Sequence, residues 1–179
     1  MCMVCPSWLS FILYNPLRLR FTDRDRIIDD SCITPDSVVL EVGAGNGFLT
    51  EAIARVAKRT VCVELQEGMT RKLRKRIGRS GGRVDIINAD IASYTPENAF
   101  ADVCLLYYSF HEISNKPDAV KNISRSLKSS GTLSIYEPTV EVGEKDMQRT
   151  IQLFEHEGFK KEAGHNNMFT RFARLRKQG

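Results

Sequence analysis

From residue 37 onward, short apolar runs alternate with stretches whose apolar positions recur at helical spacing. Ser37–Val42 (SVVLEV), Thr60–Leu65 (TVCVEL), Arg83–Asn88 (RVDIIN), Ala101–Tyr108 (ADVCLLYY) and Thr132–Glu137 (TLSIYE) are rich in apolar and β-branched residues. Each is short and bounded by glycine or polar residues, the pattern of a buried strand. Between them, Leu49, Ile53 and Val56, then Met69, Leu73 and Ile77, then Val120, Ile123 and Leu127, each fall on one face of a helix. Met147, Ile151 and Phe154 repeat the spacing before the tail. Pro117 suits the first turn of its helix, and Gly131 is placed to stop it. Gly164-His165-Asn166-Asn167 is expected to turn a terminal hairpin. Repeated strand–helix–strand units predict an α/β fold with a mostly parallel, doubly wound sheet.

The first 34 residues stand outside this pattern and form a separate N-terminal segment, with the α/β domain at 35–179. Thr22 and Asp25 resemble a capping box for a short helix carrying Ile27 and Ile28. Before it, Trp8–Phe21 (WLSFILYNPLRLRF) combines an apolar head, a break at Asn15-Pro16, and Arg18 and Arg20. Three readings stay open for residues 8–21: a helix on the sheet, a lid over a site, or a peripheral membrane contact.

The 179 residues suffice for one packed core. Five cysteines, an odd number, argue against a disulfide framework and for a reducing, cytoplasmic setting. Cys2 and Cys5 form a lone C-x-x-C with no second pair, so no metal site is expected. The net charge of +4 is modest but uneven. Arg71, Lys72, Arg74, Lys75, Arg76, Arg79 and Arg83 crowd one segment, either a solvated helix face or a surface for nucleic acid or anionic lipid.

The strongest chemical signal is Leu40–Thr50, LEVGAGNGFLT. Gly43, Gly45 and Gly47 separate a strand from a helix and let backbone N–H groups approach a ligand. A dinucleotide fingerprint would need Gly or Ala where Phe48 stands. Glu41, before the first glycine, would repel a pyrophosphate but suits an ammonium group. Glu64 ends the second strand, where an acid can accept from a ribose diol. Asn88-Ala89-Asp90-Ile91 follows the third strand.

These segments together resemble the class I S-adenosylmethionine-dependent methyltransferases, over roughly residues 35 to 175. The resemblance implies a seven-stranded sheet, five parallel strands extended by a C-terminal antiparallel hairpin. It implies S-adenosylmethionine as methyl donor, held by Glu41, Val42, Gly43, Ala44, Gly45, Gly47, Glu64, Leu65, Asp90, Ile91 and Tyr107. Asp90 would meet the adenine amino group and Ile91 its ring. The family usually has Pro and Gly where this chain has Ser129 and Ser130.

At the carboxyl ends of the fourth and fifth strands, His111, Glu112 and Glu137 are candidates for catalysis. An unperturbed histidine titrates near neutrality, so His111 suits a base, or else covers the cofactor or caps a helix beginning near Ser114. Glu137 either faces the pocket or pairs with a base. Amino-methyltransferases of nucleic-acid bases usually carry a proline-rich segment after the fourth strand; here it reads Tyr107-Tyr108-Ser109-Phe110. The expected acceptor is therefore a small molecule, apolar or lipid-like. The alternatives are an RNA or protein methyltransferase using the Arg71–Arg83 surface, and a binding module that holds S-adenosylmethionine without transferring its methyl group.

Overall fold

In the computed structural model, residues 22–78, 83–94 and 96–179 are described. The predicted alternation is present. Helix α1 (Arg24–Asp30) precedes strand β1 (Val38–Val42), α2 (Thr50–Val56), β2 (Arg59–Glu64), α3 (Glu67–Ile77), β3 (Val84–Asn88) and β4 (Ala101–Tyr107). A 3-10 turn (Phe110–Glu112) leads to α4 (Lys116–Ser126), β5 (Leu127–Pro138), α5 (Glu144–His156), β6 (Phe159–Asn166) and β7 (Thr170–Lys177). The seven-stranded sheet has the order β3-β2-β1-β4-β5-β7-β6. The pairs among β1 to β5 are parallel, while β7 runs antiparallel to β5 and β6, as expected.

Both faces of the central strands are buried, which is why they read as continuous apolar runs. Leu40, Val42, Cys104 and Leu106 face one layer, with Val120 and Ile123 of α4 and Ile151 and Phe154 of α5. Val39, Val103 and Leu105 face the other, with Ile27 and Ile28 of α1 and Ile53 of α2. Leu73 and Ile77 of α3 close over Cys62. The chain leaves β1 toward β2 on one side and returns to β4 on the other. Their carboxyl ends therefore diverge at a crevice, the usual place for a ligand in such sheets.

Several boundaries differ from expectation. Asp23, not Thr22, caps α1, accepting from the Arg26 N–H at 2.9 Å. Helix α4 stops at Ser126, and Leu127 already pairs with Ala101 in the sheet. Helical spacing carried Leu127 one residue too far, because a buried leucine serves either element. Gly131 consequently lies inside β5, within the irregular stretch between the Ala101–Leu127 and Val103–Thr132 pairings. Strand β4 ends at Tyr107, since Tyr108 turns to a φ of +56°. The hairpin turn falls at Asn167–Phe169, where Asn167 Oδ1 accepts from the N–H groups of Phe169 (2.8 Å) and Thr170 (2.7 Å). Gly164 stays in the β6 ladder opposite Ala173, and a side chain there would meet the Phe172 carbonyl at 2.8 Å.

Residues 8–21, with the lid and membrane readings attached to them, lie outside the described residues, as do Cys2, Cys5, Arg79 and Gly81-Gly82. Among the described residues, no helix is long and apolar enough to cross a membrane.

Candidate cofactor and acceptor site

A cavity of about 680 Å3 opens at the carboxyl ends of β1, β2 and β4. Its size is in the range of small-molecule sites. One end is built by the turn after β1. Gly43, Gly45 and Gly47 all have positive φ, at +74°, +57° and +85°. Gly43 needs its missing side chain for a second reason: a Cβ would sit 2.4 Å from that of Ser109. Ser109 in turn donates to the Val42 carbonyl at 2.8 Å, locking the β4 loop onto the β1 turn. At Gly45 a Cβ would meet nothing within 4 Å, so this backbone faces open space. Gly47 instead packs toward Leu73 of α3 and does not line the cavity.

Two acids stabilise this end. Glu64 Oε2 accepts from the Gly45 N–H and Oε1 from the Gln66 N–H, both at 2.8 Å. A carboxylate oxygen can accept more than one such bond, so Glu64 keeps capacity for a ligand diol. Burial raises its pKa, and the two N–H donors oppose the rise. Glu41 is 3% exposed. Burial pushes its carboxyl up to about 7 against the Thr50 hydroxyl, which donates to it at 2.6 Å. Loss of its proton would place a charge close to neutral pH where a cationic group could use it. Leu65, Asp90 and Ile91 line the wall beside Glu64. Asp90 Oδ1 accepts from the Ala92 N–H at 2.9 Å, which orients the carboxylate from its own loop. The open cradle at Gly45, the Glu64 carboxylate and the buried Glu41 form a donor set that fits S-adenosylmethionine.

The other end comes from the loops after β4 and β5. Tyr107 and Tyr108 both line the cavity, with rings stacked 4.3 Å apart. A left-handed φ on a tyrosine costs about 1–2 kcal/mol. Tyr108 is held there by its N–H to the Tyr136 carbonyl (2.8 Å) and its hydroxyl to Thr170. His111 does not cap α4; Asn115 does, accepting from the Asp118 N–H. The imidazole sits between Glu137, paired with Nδ1, and Glu141, 3.1 Å from Nε2. Burial opposes its protonation, but the Glu137 bond and the charges of Glu137, Glu141 and Glu112 raise its pKa overall. Glu112 also lines the cavity. Glu137 is 1% exposed and stands behind the ring instead of at the wall. Glu141 was not expected from the sequence, and Tyr108 and Ser109 were expected only as part of the loop after the fourth strand, between donor and acceptor. A loop acid after Pro138 has no periodicity to reveal it, and the Ser109 contact exists only once Gly43 is folded against it. Among the described residues, no group of three or more His, Cys, Asp or Glu is placed to hold a metal ion.

A family model described as "Methyltransferase domain" matches residues 40–135, from β1 into β5. Over 117 residues the chain is 38% identical to a ubiquinone/menaquinone biosynthesis C-methyltransferase of Hydrogenovibrio crunogenus, covering 62% of this chain and 45% of that protein. Over 54 residues it is 39% identical to a ribosomal RNA small subunit methyltransferase A of Thermotoga neapolitana, covering 30% and 21%. The chain spans less than two thirds of these curated relatives. A crystal structure of an S-adenosylmethionine-dependent methyltransferase from Aquifex aeolicus superposes with a TM-score of 0.85 at 16% identity, covering 97% of this chain and 99% of that one. By fold and by the matched domain, the chain belongs to the class I S-adenosylmethionine-dependent methyltransferase family.

Proposed function

We propose that this protein transfers a methyl group from S-adenosylmethionine to a small, apolar acceptor. The observation that carries the reading is a single cavity with an open glycine turn at one end and the Glu137-held His111 at the other. Glu41 and the Gly43–Gly45 backbone would hold the amino-acid part of the cofactor, Glu64 its ribose, and Asp90 with Ile91 its adenine. The bound cofactor supplies a methyl group already activated on a sulfonium. The chain's own contribution is then alignment and exclusion of water, which can be worth several orders of magnitude in rate. Tyr107 and Tyr108 give the acceptor an apolar wall. His111, kept in orientation by Glu137, presents the titratable group at the acceptor end. The similarity to a quinone C-methyltransferase supports an apolar acceptor.

The test is transfer of labelled methyl from S-adenosylmethionine into a fractionated cell extract. Label in the organic-extractable fraction, lost with Glu64→Ala, is the expected result. No binding of S-adenosylhomocysteine by calorimetry would overturn the reading.

A second reading is transfer to RNA. Arg71, Lys72, Arg74 and Lys75 are exposed together on α3, and ribosomal RNA methyltransferases are among the relatives. Label in the RNA fraction, with affinity falling steeply with salt, would favour it.

A further inference from the structure

The two carboxylates on the His111 ring differ in character. Glu137, on β5, is buried and holds the ring from behind. One oxygen pairs with Nδ1 and the other accepts from the His111 N–H at 3.1 Å. Glu141, in the loop after β5, has a side chain 60% exposed and meets Nε2 at 3.1 Å. Both His111 and Glu141 line the cavity.

Carboxylates within reach of both nitrogens favour a proton on each, so the site is matched to an imidazolium. Glu112, Glu137 and Glu141 favour it as anions around the ring, against the Lys116 ammonium of α4, which donates to the His111 carbonyl at 3.2 Å. An imidazolium has no lone pair with which to take a proton from an acceptor. It can hold an anion, and the anion it holds at Nε2 is Glu141. An exposed pair of this kind is cheap to break. Removing Glu137 would instead strip a buried partner from the charge it faces.

We propose that His111 Nε2 is the seat of an ionised oxygen on the acceptor, and that Glu141 is a displaceable stand-in for it. The ligand class is a planar, conjugated oxyanion such as a phenolate or enolate. The exchange replaces one anion by another at the same atom, so no proton has to move. The stacked rings of Tyr107 and Tyr108 line the same cavity and suit a flat ligand. Glu141 thereby sets specificity: a neutral ligand gains nothing by displacing it, whereas an oxyanion recovers the lost charge pairing. The inference depends on the methyltransferase reading only in calling this ligand the acceptor.

The experiment uses the full chain with nitrogen-15-labelled imidazoles, simplified by there being three histidines in all. The probes are 4-nitrophenolate and its uncharged methyl ether, 4-nitroanisole. The phenolate should shift the His111 Nε2 resonance and bind Glu141→Ala about fivefold more tightly than the parent, because the internal competitor is gone. The ether should bind both proteins alike. Glu137→Gln should lose the preference for the phenolate. Equal phenolate affinity for parent and Glu141→Ala, or an equal gain for the ether, overturns the proposal. S-adenosylhomocysteine calorimetry on the same samples separates the two claims. Cofactor binding without phenolate preference removes only the oxyanion seat, and phenolate preference without cofactor binding removes only the transfer reading.

Discussion

The glycine end of the cavity is a backbone turn held by two acids, and the histidine end is made of side chains. At the first, Glu41 to Gly45 are consecutive, and Glu64 binds the Gly45 N–H directly. At the second, His111 and Glu137 are 26 residues apart and meet only because β4 pairs with β5, with Tyr107 opposite Tyr136. A site made of backbone fails when volume is added to it. A site made of side chains fails when a charge is taken away. Added volume should therefore disable the first end and spare the second, while the first also depends on the carboxyls of Glu41 and Glu64.

The largest effect should come from Gly43→Val. Left-handed strain of about 1–2 kcal/mol adds to the clash with Ser109, which should cost about 1–3 kcal/mol more. Denaturant unfolding of the variant checks the sum. A loss below about 1 kcal/mol would show that the turn yields to volume after all.

Next comes Glu41, whose carboxyl is raised from 4.5 to about 7 in the folded chain. The folded state then holds a proton that the unfolded state has released, so stability should fall as pH rises through that window. The fall should amount to about 3 kcal/mol and level off above the upper value. Glu41→Gln should flatten the curve in thermal melts of the ligand-free protein. His111 has the same sign. Its raised pKa contributes stability that is full below its ordinary value of 6.5 and fades as pH climbs through the folded one.

His111→Ala should lower turnover about a hundredfold, within the range for losing one donor to a reacting oxyanion. Affinity for S-adenosylhomocysteine should stay unchanged, because the glycine end does not use the imidazole. A matching loss of cofactor affinity would erase the division between the two ends. Gly45→Ala should do the reverse. It should cost only the left-handed strain, about 1–2 kcal/mol, since nothing stands near the added methyl group. Calorimetry should still show weaker cofactor binding.

The smallest effect lies outside both ends. Ser130 has a φ of +60° in the irregular stretch of β5. Ser130→Gly should raise stability by about 0.5–1 kcal/mol, read as a higher melting temperature. This is one of the two positions where the family usually carries Pro and Gly, and the serine here works against its own backbone.

The same contrast explains what could be read in advance. Buried strands and the Glu41–Gly47 turn were legible because both are written in consecutive residues: apolar runs, and glycines where the chain needs positive φ. Glu137 could be named as a partner for a base because it ends a strand whose neighbour ends near His111. Glu141 could not, since its place depends on how the chain bends after Pro138. The turn of the hairpin was misplaced because Gly164 signals a turn as strongly as Asn167 does. Only the close approach of Phe172 shows that the glycine serves the ladder instead.

Strand β6 carries one further consequence. It is the last strand of the order β5-β7-β6, so among the described residues one of its sides has no neighbour within the sheet. Lys160, Lys161 and Glu162 are exposed along it, and the pairing with β7 is interrupted between Lys161 and Ala163. A bare, regular edge would invite a second copy to add its own strand. Two lysines and a local break in the pleat make that docking unfavourable, so the strand that completes the fold also limits how far the sheet can grow.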